Sequence, residues 1–478
     1  MADLIVANGY VVTLDPERRV IERGAVAIAG DRIAAVGPAD EILAAHPGAE
    51  VIDAAGKAVI PGLIDVHAHA GHGLVKTLGG GDGQAWYRAC LLAYTVGSTP
   101  EFWRAEARLA ALERLRFGVT TGVSLLGGGD SIMRTDEAAY GDAHMEGVLE
   151  VGTRSVVAVG STRPPHPLTY ARWDGDARTD YPVSFERQRD TCLELIDRWH
   201  GAHGMRTNVA MLTPTLRAEH VDSIGPEALA QARAQAREMS AIARERGLVF
   251  TQDGHQKGSV AYAHALGILG PEALLSHSTG LTADEIRICA DTDTKIAHNP
   301  SAVASILARC PVTELLEAGV TVGLGSDATA PDRNADMFRH MQQCMHYHRT
   351  FHRDPSWLPP GKVLEMATID AARALGMDRD IGSLELGKKA DVVLLDLRRP
   401  HMAPANMPLY RIVCFANGND VSDVIVDGVV RLRDRRAVGL DEEAAIDAAE
   451  REAALMIERL GLQALLATPA NFWRAVRA

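Results

Sequence analysis

Two histidines two residues apart, His67 and His69, close the run VIPGLIDVHAHAGHG. In a strand, residues i and i+2 project from one face, so both imidazoles can reach one ion. Imidazole nitrogen suits zinc, iron, cobalt or nickel better than magnesium or calcium, and inward-facing histidines without partners are costly to bury. Ser326-Asp327 ends the run VTVGLGSDATAPD. A carboxylate at a strand end can bind a metal and take a proton from water whose pKa the metal has lowered to roughly 7. His277, in EALLSHSTGL, can ligate the metal or donate a hydrogen bond to the attacking water or the developing oxyanion. His298, in KIAHNPSAV, reads as a substrate-facing residue or as a support for a ligand.

A mononuclear site built this way needs one more histidine, from a strand between His69 and His277. The run LVFTQDGHQKG offers His255, after Asp253 and Gly254. His255 is the expected ligand, with Gln252 and Asp253 as substitutes because metal sites also accept oxygen donors. Two absences narrow the chemistry. The run RTNVAMLTP has no lysine to be carbamylated and bridge two metals. No HxxE occurs on the LVFTQDGHQKG strand, so the carboxylate that would protonate a heterocyclic ring nitrogen is missing. In the loop GHGLVKTLGGGDGQAW, just after the histidine pair, His72, Lys76 and Trp86 are candidate substrate contacts.

These residues must be carried by elements that aim them at one point. The first 55 or so residues alternate apolar and polar positions and break at Gly and Asp, as short strands do. From about residue 62 to about 375, eight short apolar runs alternate with amphipathic stretches such as PEFWRAEARLAALERLRF. Strands buried on both faces, each followed by a helix, imply a parallel sheet, and eight units fit a closed (β/α)8 barrel, an α/β TIM-like fold. No GxGxxG loop follows the first strand to favour an open doubly wound sheet. After about residue 380, strands and Gly turns return.

The expected organisation is therefore 1–60 and 379–437 as two parts of one small β-sandwich domain. Residues 61–378 form the metallohydrolase barrel, and 438–478 a C-terminal helical segment that packs on the barrel or on a neighbouring subunit.

The 478 residues carry a net charge of −13, which argues against a nucleic-acid partner. The six cysteines form no CxxC pair and read as reduced thiols. No window approaches 18 uninterrupted apolar residues and Met1 opens no signal-peptide pattern, so a cytosolic protein without membrane contact is expected.

The histidine pair, His255, His277 and Asp327 in that order resemble the amidohydrolase superfamily. The chain looks like the branch of cytosine, guanine and adenosine-type deaminases, triazine hydrolases and phenylurea-type hydrolases. ARERGLVF, LGILGPEALLSHSTGLTADEI, IAHNPSAVASI, ELLEAGVTVGLGSDA and GSLELGKKADVVLLD carry the likeness over nearly the whole chain, and VIPGLIDVHAH with GKKADVVLLD is very specific. The resemblance implies one divalent transition metal per subunit, zinc first and iron second, on His67, His69, His255 and Asp327. It sets His277 beside the nucleophilic water and makes Asp327 the proton shuttle.

Two departures from that branch, the missing HxxE and HSTGL in place of HCVHL, weigh against simple ring deamination. The leading expectation is hydrolysis of a C–N bond in a small, uncharged amide, urea or carbamate, aryl-bearing ones included. Deamination of an amino-heterocycle comes second and hydrolytic dehalogenation third. A non-catalytic barrel scaffold is disfavoured by the retained ligands, and a homo-oligomer is expected for this architecture.

Overall fold

The computed structural model describes residues 2–128, 132–217, 220, 223–306, 308–329, 332–470 and 472–474. Each of the eight apolar runs contains a strand. These are Leu63–Asp65, Val119–Leu125, Arg154–Gly160, Thr207–Leu212, Phe250–Gln252, Ala273–Ser276, Lys295–His298 and Val322–Leu324. They pair in sequence order, every pair parallel. The Val66 N–H donates to the Leu324 carbonyl at 3.2 Å, so the first and last strands meet and the sheet curls into a barrel. Every residue of these strands is buried, which is why they read as continuous apolar runs rather than alternating ones.

Local signals set the helices between strands. Pro100–Arg116 starts after Thr99, whose hydroxyl accepts from the Phe102 N–H, and has Pro at its first position. Ala283–Asp291 opens on a Thr282/Glu285 capping box. One insertion escaped the sequence pattern: an antiparallel hairpin, Leu168–Asp174 with Ala177–Val183, follows the third barrel strand.

Segments from both ends of the chain build a second sheet. Hydrogen bonding joins its nine strands. Lys57–Pro61 pairs parallel with Leu4–Val12 on one side and antiparallel with Val392–Asp396 on the other. Val6, Ile28 and Val59 share an apolar cluster with Val392, Leu394 and Ile425, so this core requires both termini. The C-terminal helix Glu442–Leu460 packs on the barrel, against Pro100–Arg116, burying Ala445, Ala449 and Met456, and Glu442 pairs with Arg116 at 2.6 Å.

One buried histidine away from the site has a measurable consequence. His144, on helix Ala138–Val151, is buried with neither ring nitrogen hydrogen-bonded among the described residues. Burial, with the Arg114 guanidinium adding to it, pushes its pKa down to about 3. The unfolded chain therefore binds a proton near pH 6.5 that the folded chain refuses, so stability falls as pH drops below 6.5. His144→Leu is expected to remove about 1 kcal/mol of the loss between pH 6.5 and 5.5. Denaturant melts at the two pH values, compared between the variant and the native protein, check this.

Candidate metal centre and active site

The barrel rim gathers five side chains. His67 Nε2 stands 3.4 Å from Asp253 Oδ1 and 3.5 Å from Asp327 Oδ1. His69 Nε2 lies 3.0 Å from Asp327 Oδ1 and 3.7 Å from Asp253 Oδ2. His277 Nε2 lies 3.1 Å from Asp253 Oδ1 and 3.9 Å from Asp327 Oδ2. These groups come from the ends of the first, fifth, sixth and eighth strands, the face where barrel active sites are built.

The surrounding backbone and side chains fix each group. Asp65, fully buried in the first strand, accepts from Arg114 at 3.0 and 3.2 Å. It also accepts from the Ser326 backbone at 2.8 Å and its hydroxyl at 2.7 Å. Asp65 thereby clamps the strand carrying the histidine pair to the loop carrying Asp327. His69 Nδ1–H donates to the Gly127 carbonyl at 3.0 Å, which leaves Nε2 facing the centre. Ser276 Oγ donates to Asp253 at 2.5 Å. His277, Ser278 and Asp327 all hold positive φ, between 47° and 61°, a costly conformation that concentrates at functional sites.

The donor set fits a metal ion. His67 Nε2 is buried with no hydrogen-bond partner among the described residues, and it points between the two carboxylates. Donors 2.0–2.2 Å from a common tetrahedral ion would stand about 3.3–3.6 Å apart, close to the spacings here. Three imidazoles and two carboxylates suit a divalent transition metal.

Charges within the cluster are mutually supporting. Burial pushes the Asp327 carboxyl up, but the Arg333 guanidinium and then the His67 and His69 imidazoles hold it well below the usual carboxylate range. Asp253 is likewise held well below it, against burial, chiefly by His67 and His277. His72, buried against His69, is pushed well down and stays neutral.

The expected site residues divide clearly. His67, His69, His277 and Asp327 come together. His255 does not join them, and Asp253 stands in the place expected of it. Gly254 turns with φ 77° and swings His255 away from the centre. Its Nδ1 is 2.8 Å from Ser259 Oγ and its Nε2 3.2 Å from Gln252 Oε1, so both ring nitrogens are engaged. Burial, with Arg217 adding to it, pushes its pKa down to about 3.

His72 stacks on His69 with centroids 4.4 Å apart, Trp86 meets His72 edge-on at 4.9 Å, and both line the cavity over the cluster. Lys76 is exposed and lines a separate cleft beside the C-terminal helix. His298 is fully buried and faces His348 rather than the cavity. The cavity measures about 570 Å³, and Arg217, Gln256, Thr279 and Arg333 complete much of its wall. The sequence singled out none of these four, nor Asp65. Counting three residues on from Asp253 would have found Gln256.

The model of the amidohydrolase family matches residues 58–431. The chain belongs to the amidohydrolase family. A bacterial imidazolonepropionase-like composite domain also matches residues 24–49. This amidohydrolase is 30% identical, over 455 residues, to a 5-methylthioadenosine/S-adenosylhomocysteine deaminase of Syntrophobacter fumaroxidans, covering 93% of this chain and 96% of that one. Among solved structures it resembles a zinc-bound adenosine deaminase from Xanthomonas campestris, with TM-score 0.80, 23% identity and coverage of 96% and 99%. It also resembles the zinc complex of atrazine chlorohydrolase from Arthrobacter aurescens, with TM-score 0.78, 23% identity and coverage of 95% and 100%. The amidohydrolase is thus a hydrolase of carbon–nitrogen bonds other than peptide bonds, with a site suited to a divalent metal. No helix among the described residues is long and apolar enough to cross a membrane.

Proposed function

We propose that this amidohydrolase uses one zinc ion and water to hydrolyse an amide-, urea- or carbamate-type C–N bond in a small substrate, aromatic ones included. One observation carries the reading: five ligand-type side chains converge under a cavity whose wall, three residues beyond Asp253, presents the amide of Gln256 and no carboxylate.

When bound, a divalent cation supplies a water acidic near neutral pH and a Lewis acid for the scissile bond. His67, His69, Asp253 and Asp327 would hold it. Asp327, kept ionised by Arg333 at 3.5 Å, accepts the proton of the nucleophile and delivers it to the departing nitrogen. His277 donates toward the oxygen on which charge develops. Neutral His72 and Trp86, set edge to face, line the cavity with aromatic surface for the substrate. The Gln256 amide has no proton to release at neutral pH, so nothing in its position can protonate a ring nitrogen.

Deamination of an amino-heterocycle is the second reading, favoured by the similarity to the S. fumaroxidans deaminase. Metal-loaded protein assayed against matched aryl amides, ureas, carbamates and amino-heterocycles is expected to turn over the acyclic substrates. Gln256→Glu is expected to raise turnover of amino-heterocycles by about 10²-fold. Turnover of amino-heterocycles alone by the native protein would reverse the order. A cytosolic location accords with six cysteines in no disulfide, five of them buried, and a homo-oligomer is the assembly proposed for this architecture.

A further inference from the structure

A second cluster of metal-binding side chains lies away from the catalytic cavity. His298 ends the seventh barrel strand, and Cys344 and His348 sit one turn apart on helix Met337–His352. At a spacing of four residues both project from the same face of that helix. Their ligand atoms and those of His298 all lie within 4.8 Å of one another. All three residues are 0% exposed. The His298 and His348 rings lie with centroids 5.3 Å apart, tilted at 59° to each other.

The decisive feature is that none of the four ring nitrogens of His298 and His348 has a hydrogen-bond partner among the described residues. Buried polar groups are nearly always satisfied, and each exception needs an explanation. Two imidazoles with no protein partner for their nitrogens, packed beside a thiol, form a poor apolar core. They form a good donor set for a soft or borderline cation.

We propose that His298, Cys344 and His348 form a second, closed transition-metal site, structural in role and distinct from the catalytic centre. Binding releases the Cys344 thiol proton to solvent as the metal–sulfur bond forms. Such an ion would tie the seventh strand to the helix. It would thereby brace the intervening segment, which carries the cavity residues Ala302 and Ser305 and the catalytic Asp327. A surface cavity of about 510 Å³, lined by Pro300, Gln343, His346 and Tyr347, lies between the short helix that follows the strand, Pro300–Ser305, and helix Met337–His352.

Cobalt(II) alone is the probe. The catalytic cluster has only nitrogen and oxygen donors, so a thiolate-to-cobalt charge-transfer band in the near ultraviolet reports a cysteine-bearing site, which the Cys344→Ser variant assigns. Stripped full-length protein reloaded with cobalt and desalted is expected to hold two equivalents per chain and to show that band. Cys344→Ser is expected to hold one equivalent and lose the band, whereas Asp327→Ala keeps the band. Native protein that takes up cobalt without a thiolate band would overturn the proposal, and this reading stands even if Cys344→Ser fails to fold. An unchanged metal count in folded Cys344→Ser would overturn it equally.

Discussion

Asp327→Asn is expected to lower kcat by about 10³- to 10⁴-fold, near the upper end for loss of a general base. That corresponds to about 4–5.5 kcal/mol of transition-state stabilisation. The substitution preserves shape while removing both the proton acceptor and one negative charge from the cluster. His69 feels the change most directly. Burial alone would push its pKa down, and Asp327 and Asp253 together hold it up. Steady-state kinetics with the best acyclic substrate, alongside metal analysis of the purified variant, check the outcome. A variant with native kcat and native metal content would remove Asp327 from the mechanism.

The second large effect separates two residues that the sequence ranked with His255 first and Asp253 as its substitute. Asp253→Ala is expected to weaken metal binding by more than about 100-fold, beyond the range typical of residues that merely orient a ligand. His255→Ala is expected to leave metal content near native. Its cost falls on stability, about 1–3 kcal/mol, because Ser259 and Gln252 each lose a buried partner. Competition with a chromogenic chelator measures the first effect and denaturant unfolding the second. The reverse pattern, with metal lost from His255→Ala and kept in Asp253→Ala, would return His255 to the ligand set.

The contrast shows what was legible in the chain. His67 and His69 could be read because strand geometry relates i to i+2 with no further information, and Asp327 because the run VTVGLGSD leads straight to it, three residues past Leu324. The fifth strand was harder because it stops at Gln252 and the next three residues obey no period. A glycine with positive φ decides where His255 points, and only coordinates reveal that angle. His298 misled for a related reason. It closes its strand as a ligand would, yet its partners lie on a helix some 50 residues later. Asp65 was invisible because an aspartate in an apolar run has no local signature. Its importance comes from Arg114, 49 positions on, and Ser326, 261 positions on. The barrel was readable throughout because each strand's burial shows in its own composition, whereas the hairpin after the third strand is mostly exposed and left no apolar trace.

The Asp65 clamp has a consequence for biosynthesis. The histidine pair emerges early from the ribosome, and the carboxylate opposite it follows some 260 residues later. Until then the nascent polypeptide has no complete cage, because the carboxylate that faces both imidazoles of the pair is missing. Loading is thereby deferred until the eighth strand has emerged and the barrel closes on itself, and products terminated before Asp327 should leave the ribosome without a tightly held ion.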